Sequence, residues 1–327
     1  MTVSGTIYTA DGNEGSATEA RLEELKASGQ FFWLTLDSVD ADTSDMLLNG
    51  FGFHPLAVED ATRFGQRPKV EEYPTFTYWV AHGLDSDGAI AEVHLFITPT
   101  SIITVSPHST QCLEEVRRRL ETHPPRAVSP PSITALYLIL DALVDSFFPA
   151  LASLDEQIDD LEDGILKAPT EEQLGQLFAM KRQLVTYRKA VTPQRDVMAR
   201  VTSGVDQIEG MTDEDLRYFR DLYDHLIRIS DMVDSYRDLV TGALDTHISM
   251  VSNRMNVIMK QLTIIATIFL PLSYLTGFFG QNFGFMVNGP QTHAWAFWVF
   301  GVGLEVGAVV FLVWYGRRNN WFGGPSA

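Results

Sequence analysis

The sequence predicts an α+β membrane protein: a mixed α/β body, a long helix leading out of it, and two C-terminal membrane spans. Three observations predict this class. Runs rich in β-branched and aromatic residues, separated by turn residues, occupy the first third of the chain. Apolar positions then recur at steps of three and four from Asp213 to Phe279, with Pro271 the one proline inside. Two long apolar stretches, Leu262 to Phe279 and Trp295 to Tyr315, close the chain.

The first segment, residues 1–130, reads as an α/β domain. FFWLTL (Phe31–Leu36), TFTYWVAH (Thr75–His82), AEVHLFIT (Ala91–Thr98) and SIITVSP (Ser101–Pro107) are its strands. Leu113 to Thr122 reads as a helix, and the proline-rich stretch His123 to Pro131 marks a boundary. Residues 131–212 form a helical hairpin, one helix from Ser132 to Ile165 and a second from Glu171 to Val201, turning at Leu166 to Pro169. Residues 213–261 are a stalk helix that runs without a break signal into a first span, residues 262–279. Residues 280–294 form an outer loop, 295–315 a second span and 316–327 a tail.

Eighteen residues without a charge, LTIIATIFLPLSYLTGFF, make about 27 Å of helix. The second span carries Trp295, Trp298, Trp314 and Tyr315 at its ends, as membrane interfaces favour. Arg254 and Lys260 precede the first span, Arg317 and Arg318 follow the second, and Gly280 to His293 has no Lys or Arg. The positive-inside rule therefore places both termini in the cytoplasm and the loop outside a cytoplasmic (inner) membrane crossed twice. The polar start, Met1 to Ser16, lacks the apolar core of a signal peptide.

The net charge of −18 argues against a nucleic-acid partner. A single cysteine, Cys112, excludes a disulfide framework and a cysteine metal cluster. There is no glycine-rich phosphate loop and no nucleophile elbow, so neither a nucleotide nor an enzyme activity is expected. His54, Glu59 and Asp60 do not have metal-ligand spacing, and Glu59 and Asp60 are expected to serve the structure of a short helix. The acidic run Asp155, Glu156, Asp159, Asp160, Glu162 and Asp163 reads equally well as a cation-gathering surface or a solvated helix face.

A second stripe shares the long helix: Asp245, Ser249, Ser252, Asn256, Met259, Thr263, Ala266, Leu270, Ser273 and Gly277. Its members are mostly small or polar, even inside the span. Two spans in one chain cannot enclose water, but several copies about an axis can, each turning this stripe inward. Close packing of small residues in lipid is the plainer alternative. The stripe leads to Gly280, Gln281 and Asn282, an uncharged loop at the mouth of the first span. Glu305 lies mid-span in the second helix, either as a proton or ion relay or as a protonated or hydrogen-bonded carboxyl facing the first helix.

The stretch SNRMNVIMKQLTIIATIFLPLSYLTGFFGQNF (Ser252–Phe283) resembles the first transmembrane helix and signature loop of the CorA family of divalent-cation transporters. HPLAVEDA (His54–Ala61) and QRPKVEEY (Gln66–Tyr73) also match that family's pattern. The resemblance implies a homopentameric funnel whose long helices line the pore, ringed by the second spans. It implies Mg2+ as the transported and regulatory ion, with Co2+ or Ni2+ as passengers. The family signature Gly-Met-Asn stands here as Gly280-Gln281-Asn282. Asn282 is implied to hold the hydrated ion; Mg2+ dehydrates reluctantly, so amide oxygens can grip its water shell. Met259, Leu262 and Leu270 match apolar constrictions, and Asn256 and Ser273 match polar rings. Asp245 matches a carboxylate that senses cytoplasmic metal between subunits, with Asp87 as its partner and Asp85 as a substitute. A Zn2+ transporter of the same architecture, with or without proton coupling, is the runner-up, and a non-conducting membrane scaffold is the third reading.

Overall fold

In this computed structural model, residues 2–9, 12–107, 111–122, 130–281, 288–289, 295, 297–319 and 321 are described. They divide into two compact units, residues 1–244 and 245–327.

The first unit is built on a seven-stranded sheet: β1 (Thr2–Thr9), β2 (Gly12–Thr18), β3 (Phe32–Leu36), β4 (Lys69–Tyr73), β5 (Phe76–Leu84), β6 (Ile90–Ile97) and β7 (Ser101–Val105). The spatial order is β2-β1-β3-β7-β6-β5-β4, with β3 and β7 parallel and the other neighbours antiparallel. Three helices precede β4: α1 (Glu19–Ser28), α2 (Ala41–Asp45) and α3 (Pro55–Ala61). On one face of the sheet, Phe32, Leu34, Tyr78, Val80, Phe96 and Ile103 pack with Leu22 and Leu25 of α1 and Ala57 and Val58 of α3. These sheet residues fall at every second position, as the pleat requires.

Downstream come α4 (Gln111–Thr122), α5 (Pro131–Asp145), α6 (Phe147–Lys167) and α7 (Glu171–Thr202). Helix α5 approaches β5 so closely that a Cβ on Gly83 would lie 2.8 Å from Leu143 Cδ2. With helices on both sides, every residue of β5 is buried, which explains its continuous apolar reading.

The single helix expected from Ser132 to Ile165 is two. Ser146 separates α5 from α6, its hydroxyl accepting from Leu84 N (2.7 Å) and donating to Leu143 O (2.6 Å). Pro149 sits in the first turn of α6, where a missing N–H costs least. Along α6, Leu151, Leu154, Ile158, Leu161 and Ile165 are buried, while Glu156, Asp159, Asp160 and Asp163 face solvent. Helix α7 starts with a capping box: Thr170 Oγ1 accepts from Gln173 N, and Gln173 Oε1 accepts from Thr170 N.

The two sequence motifs of the body interlock. Lys69 Nζ donates to Asp60 (2.5 Å) and to Glu71 (2.6 Å), and the Gln66 amide donates to Asp60 O. Burial works against the Lys69 charge, but these two carboxylates outweigh it and hold the ammonium above its ordinary pKa. Glu92, buried on β6, accepts from the backbone N–H of Gly65 (2.6 Å) and Gln66 (3.1 Å). His54 caps α3 by accepting from Leu56 N at 3.2 Å. Asp60 thus serves a structural clamp, and His54, which the sequence reading did not assign to the helix, caps it.

Helix α8 (Asp215–Phe279) runs 65 residues without interruption. Thr212 and Asp215 cap its start reciprocally. Phe219, Leu222, Leu226, Ile229, Val233, Val240 and Leu244 are buried against the body. Further along the chain, a wide π-type winding, Phe297–Gly303, is followed by α9 (Leu304–Arg318).

Candidate functional site

Exposure changes along α8 where the two units meet in sequence. Leu244 and His247 are buried, but Ile248, Val251, Met255, Ile258, Leu262 and Phe269 are exposed. Large apolar side chains at this density need a cover other than water. A second apolar helical region, Pro131–Lys167, is long enough to cross a membrane, but more than half of its apolar window is buried in the body. None of the corresponding window in α8 is buried. The first is therefore core, whereas the second is left uncovered by the single chain.

The small and polar stripe lies on another face of the same helix. At about 100° per residue, the 32 residues from Asp245 to Gly277 turn through nearly nine full turns, so the stripe drifts by only about 40°. Asp245, Ser249, Ser252, Asn256, Met259, Thr263, Ala266, Leu270, Ser273 and Gly277 are all exposed, as is Leu262 beside them. Two of its hydroxyls are tied down: Ser249 donates to Asp245 O (2.9 Å) and Thr263 to Met259 O (2.8 Å). Each such oxygen keeps lone pairs turned away from the helix and able to accept from a water.

The helix ends at Phe279, and Gly280 and Gln281 follow it. Gly280 N donates to Thr276 O (2.9 Å) and Gln281 N to Phe278 O (3.3 Å), so both residues are wound onto the last turn. Added at Gly280, a Cβ would approach Thr276 O to 3.0 Å. Glycine thus suits a tight helix exit. The Gln281 side chain is exposed. Asn282 lies outside the described residues.

Beneath this exit, Thr276 Oγ1 lies within hydrogen-bond distance of two acceptors, Glu305 Oε1 at 2.7 Å and Leu272 O at 2.8 Å. Glu305 therefore faces α8 and hydrogen-bonds there, as the plainer of its two expected readings has it. Thr276 joins the two spans through its side chain and holds Gly280 through its carbonyl. Sequence reasoning identified Glu305 and its facing helix but not Thr276, which reads as an ordinary span residue.

The two carboxylates expected to sense metal belong to different units. Asp245 is exposed on α8, and Asp87 is exposed in the β5–β6 turn. That turn is held firmly: Asp87 Oδ1 accepts from Ala89 N (3.0 Å), Gly88 N donates to Asp85 O (2.9 Å), and Tyr187 Oη donates to Gly88 O (3.1 Å). Gly88 has φ of 77°, and a Cβ there would meet Tyr187 Oη at 2.9 Å. Asp85 and Asp87 border a cleft of about 770 Å³ that also holds Asp145, Arg118 and Arg119.

Residues 28–318 match the protein family described as CorA-like Mg2+ transporter protein. The chain is 33% identical over 300 residues to the cobalt/magnesium transport protein CorA of Thermotoga maritima, covering 88% of this chain and 83% of that protein. It is 24% identical over 321 residues to the zinc transport protein ZntB of Yersinia pseudotuberculosis, covering 96% and 94%. Its fold superimposes on the CorA magnesium transporter of Methanocaldococcus jannaschii with a TM-score of 0.82 at 23% identity, covering 98% and 99%.

Proposed function

The chain belongs to the CorA-like Mg2+ transporter family, a family of divalent-cation membrane transporters, and from that premise we propose that it imports Mg2+ through a central pore. Co2+ and Ni2+ follow the same route. One observation carries the reading: an unbroken helix bears an exposed small and polar stripe from Asp245 to Gly277 and ends at Gly280. Lipid covers the apolar faces of that helix, and copies of the chain cover the stripe. Five chains about one axis give rings of Asn256 and Ser273, with Met259, Leu262 and Leu270 as apolar constrictions that gate by dewetting. Thr263 and Gly277 line the same path. Gly280, Gln281 and Asn282 form the outer mouth, where amide oxygens grip the hydrated ion. Residues 262–279 and 295–315 cross the inner membrane, with both termini in the cytoplasm.

The driving force is the membrane potential. A divalent ion entering at −100 mV gains about 4.6 kcal/mol, from about 2.3 per charge. Cytoplasmic Mg2+ bound between Asp245 of one chain and Asp87 of the next holds the pore shut, and its loss lets the subunits separate. Replacing both carboxylates by alanine should leave influx high at millimolar internal Mg2+; inhibition identical to wild type refutes this feedback.

A second reading, Zn2+ transport with or without proton coupling, is favoured by Gln281 in place of methionine and by the similarity to ZntB. Initial influx of Mg2+, Co2+, Ni2+ and Zn2+ into proteoliposomes, with Asn282→Ala alongside, separates the two. Mg2+ influx lost with Asn282→Ala supports the first. Zn2+ influx driven by a proton gradient, with little Mg2+ influx, supports the second. No flux of any ion leaves the membrane scaffold.

A further inference from the structure

A group of side chains in the cytoplasmic body is arranged as a metal-ligand set and takes no part in the pathway above. Asp141 and Asp145 lie four residues apart on one face of α5, and His225 of α8 faces both. One ligand atom from each residue lies within 4.8 Å of the others. Asp145 Oδ1 is 3.4 Å from His225 Nδ1. With metal–ligand bonds of about 2.0–2.1 Å, a tetrahedral site spaces its ligand atoms by roughly 3.3–3.4 Å, which matches.

The surroundings point the same way. His225 Nδ1 is shut off from solvent and makes no hydrogen bond among the described residues, although a carboxylate oxygen is close by. The other ring nitrogen, Nε2, lies 3.9 Å from Asp221 Oδ2, close enough for electrostatic attraction. The Phe148 ring meets the imidazole edge-on at 5.7 Å and limits its rotation. Three carboxylates therefore surround one imidazole, and Arg119, which donates to Asp141 Oδ2 at 3.1 Å, is the guanidinium bonded to the group. Like charges four apart on a helix repel. Asp141 is also buried, which makes a second carboxylate beside it costlier still. A bound cation relieves both costs. A carboxylate has two oxygens, so Asp141 can keep Arg119 on one and ligate through the other.

We propose that Asp141, Asp145 and His225 form an intrasubunit site for a transition-metal dication of the Zn2+, Co2+ or Ni2+ class, linking α5 to the long helix. The imidazole selects against Mg2+, which prefers six oxygens in octahedral geometry. The site is separate from the Asp87 and Asp245 carboxylates and stands whether or not the chain conducts.

The test uses full-length protein in detergent carrying Asp87→Ala and Asp245→Ala. Co2+ is titrated by equilibrium dialysis and by its visible d–d absorption, which reports a nitrogen ligand in a low-symmetry site. About one Co2+ per chain should be lost from the tight class on His225→Gln or Asp145→Asn, with affinity falling more than ~10-fold. Far-ultraviolet circular dichroism checks that both variants fold, and the two isosteric changes guard against one failing. Excess Mg2+ should leave the band in place. Unchanged stoichiometry and spectrum in both variants overturn the site, and displacement by Mg2+ at equal concentration overturns its class.

Discussion

Replacing Thr276 by valine removes the hydroxyl that joins the two spans while keeping the side-chain volume. A hydroxyl carries one proton, and Thr276 Oγ1 contacts both Glu305 Oε1 (2.7 Å) and Leu272 O (2.8 Å). That proton serves one acceptor at a time, so the hydroxyl links Glu305 and the Leu272 carbonyl in one chain of polar contacts. Valine breaks that chain and leaves Glu305 without its partner. Interhelical hydrogen bonds in membranes average about 0.6 kcal/mol and reach about 1.7, and hydrogen bonds to charged groups are worth about 1.5–3. The loss should therefore be about 1–2 kcal/mol, a factor of roughly 5–30 in the folded-to-unfolded ratio. Thr276→Ser should stay within about 0.5 kcal/mol of wild type. Reversible unfolding in mixed detergent–SDS micelles measures both. Glu305→Gln keeps a donor and an acceptor but cannot shuttle a proton, so ion influx should persist with the same dependence on a pH step. If Thr276→Val is as stable as wild type, or Glu305→Gln abolishes proton-driven flux, the structural assignment of this pair fails and the relay reading replaces it.

The body offers further tests. Gln194, buried on α7, accepts from His82 N (2.7 Å) and donates to His82 O (3.1 Å), completing β5 where β4 has ended. Gln194→Leu orphans both backbone groups and should cost about 2–4 kcal/mol in chemical denaturation. Acid should destabilise the fold in two stages. Burial holds His82 below its ordinary value of 6.5, so only the unfolded chain gains that proton, and stability declines as pH falls below about 6.5. Burial raises the Glu92 carboxyl, but hydrogen bonds from His94 and the Gly65 and Gln66 amides outweigh it and hold the group below 4.5. Its contribution is complete above about 4.5 and is lost as pH falls further. Melting temperature measured against pH should show both stages in wild type and lose the lower one in Glu92→Gln.

What the sequence revealed followed the strength of each periodic signal. β3, β5, β6 and β7 are runs of β-branched and aromatic residues buried at most positions, so composition alone marks them. β1 and β2 are missed because they form an edge hairpin whose strands, TVSGTIYT and GNEGSAT, are mostly small and polar. β4 is missed because KVEEY is an edge strand, charged where further pairing would be a hazard, and its Lys69 and Glu71 serve the clamp rather than a core. The break at Ser146 is invisible because apolar residues continue on both sides, and only Pro149 hints at it. The long helix is legible throughout because its apolar repeat persists from the body into the span, although what covers it changes at Leu244. That change separates the two kinds of information in the helix. Before Leu244, an apolar residue names a contact that the same chain supplies. Beyond it, Ile248, Met255 and Phe269 are exposed in the single chain, so the pattern there is not accounted for by contacts within this fold. The Asp141, Asp145 and His225 group lies at the opposite extreme. Its one sequence trace is a pair of aspartates four apart in an otherwise apolar helix, and the third member comes from a helix some eighty residues away. Spacing can announce ligands that share a helix; only packing brings the imidazole to them.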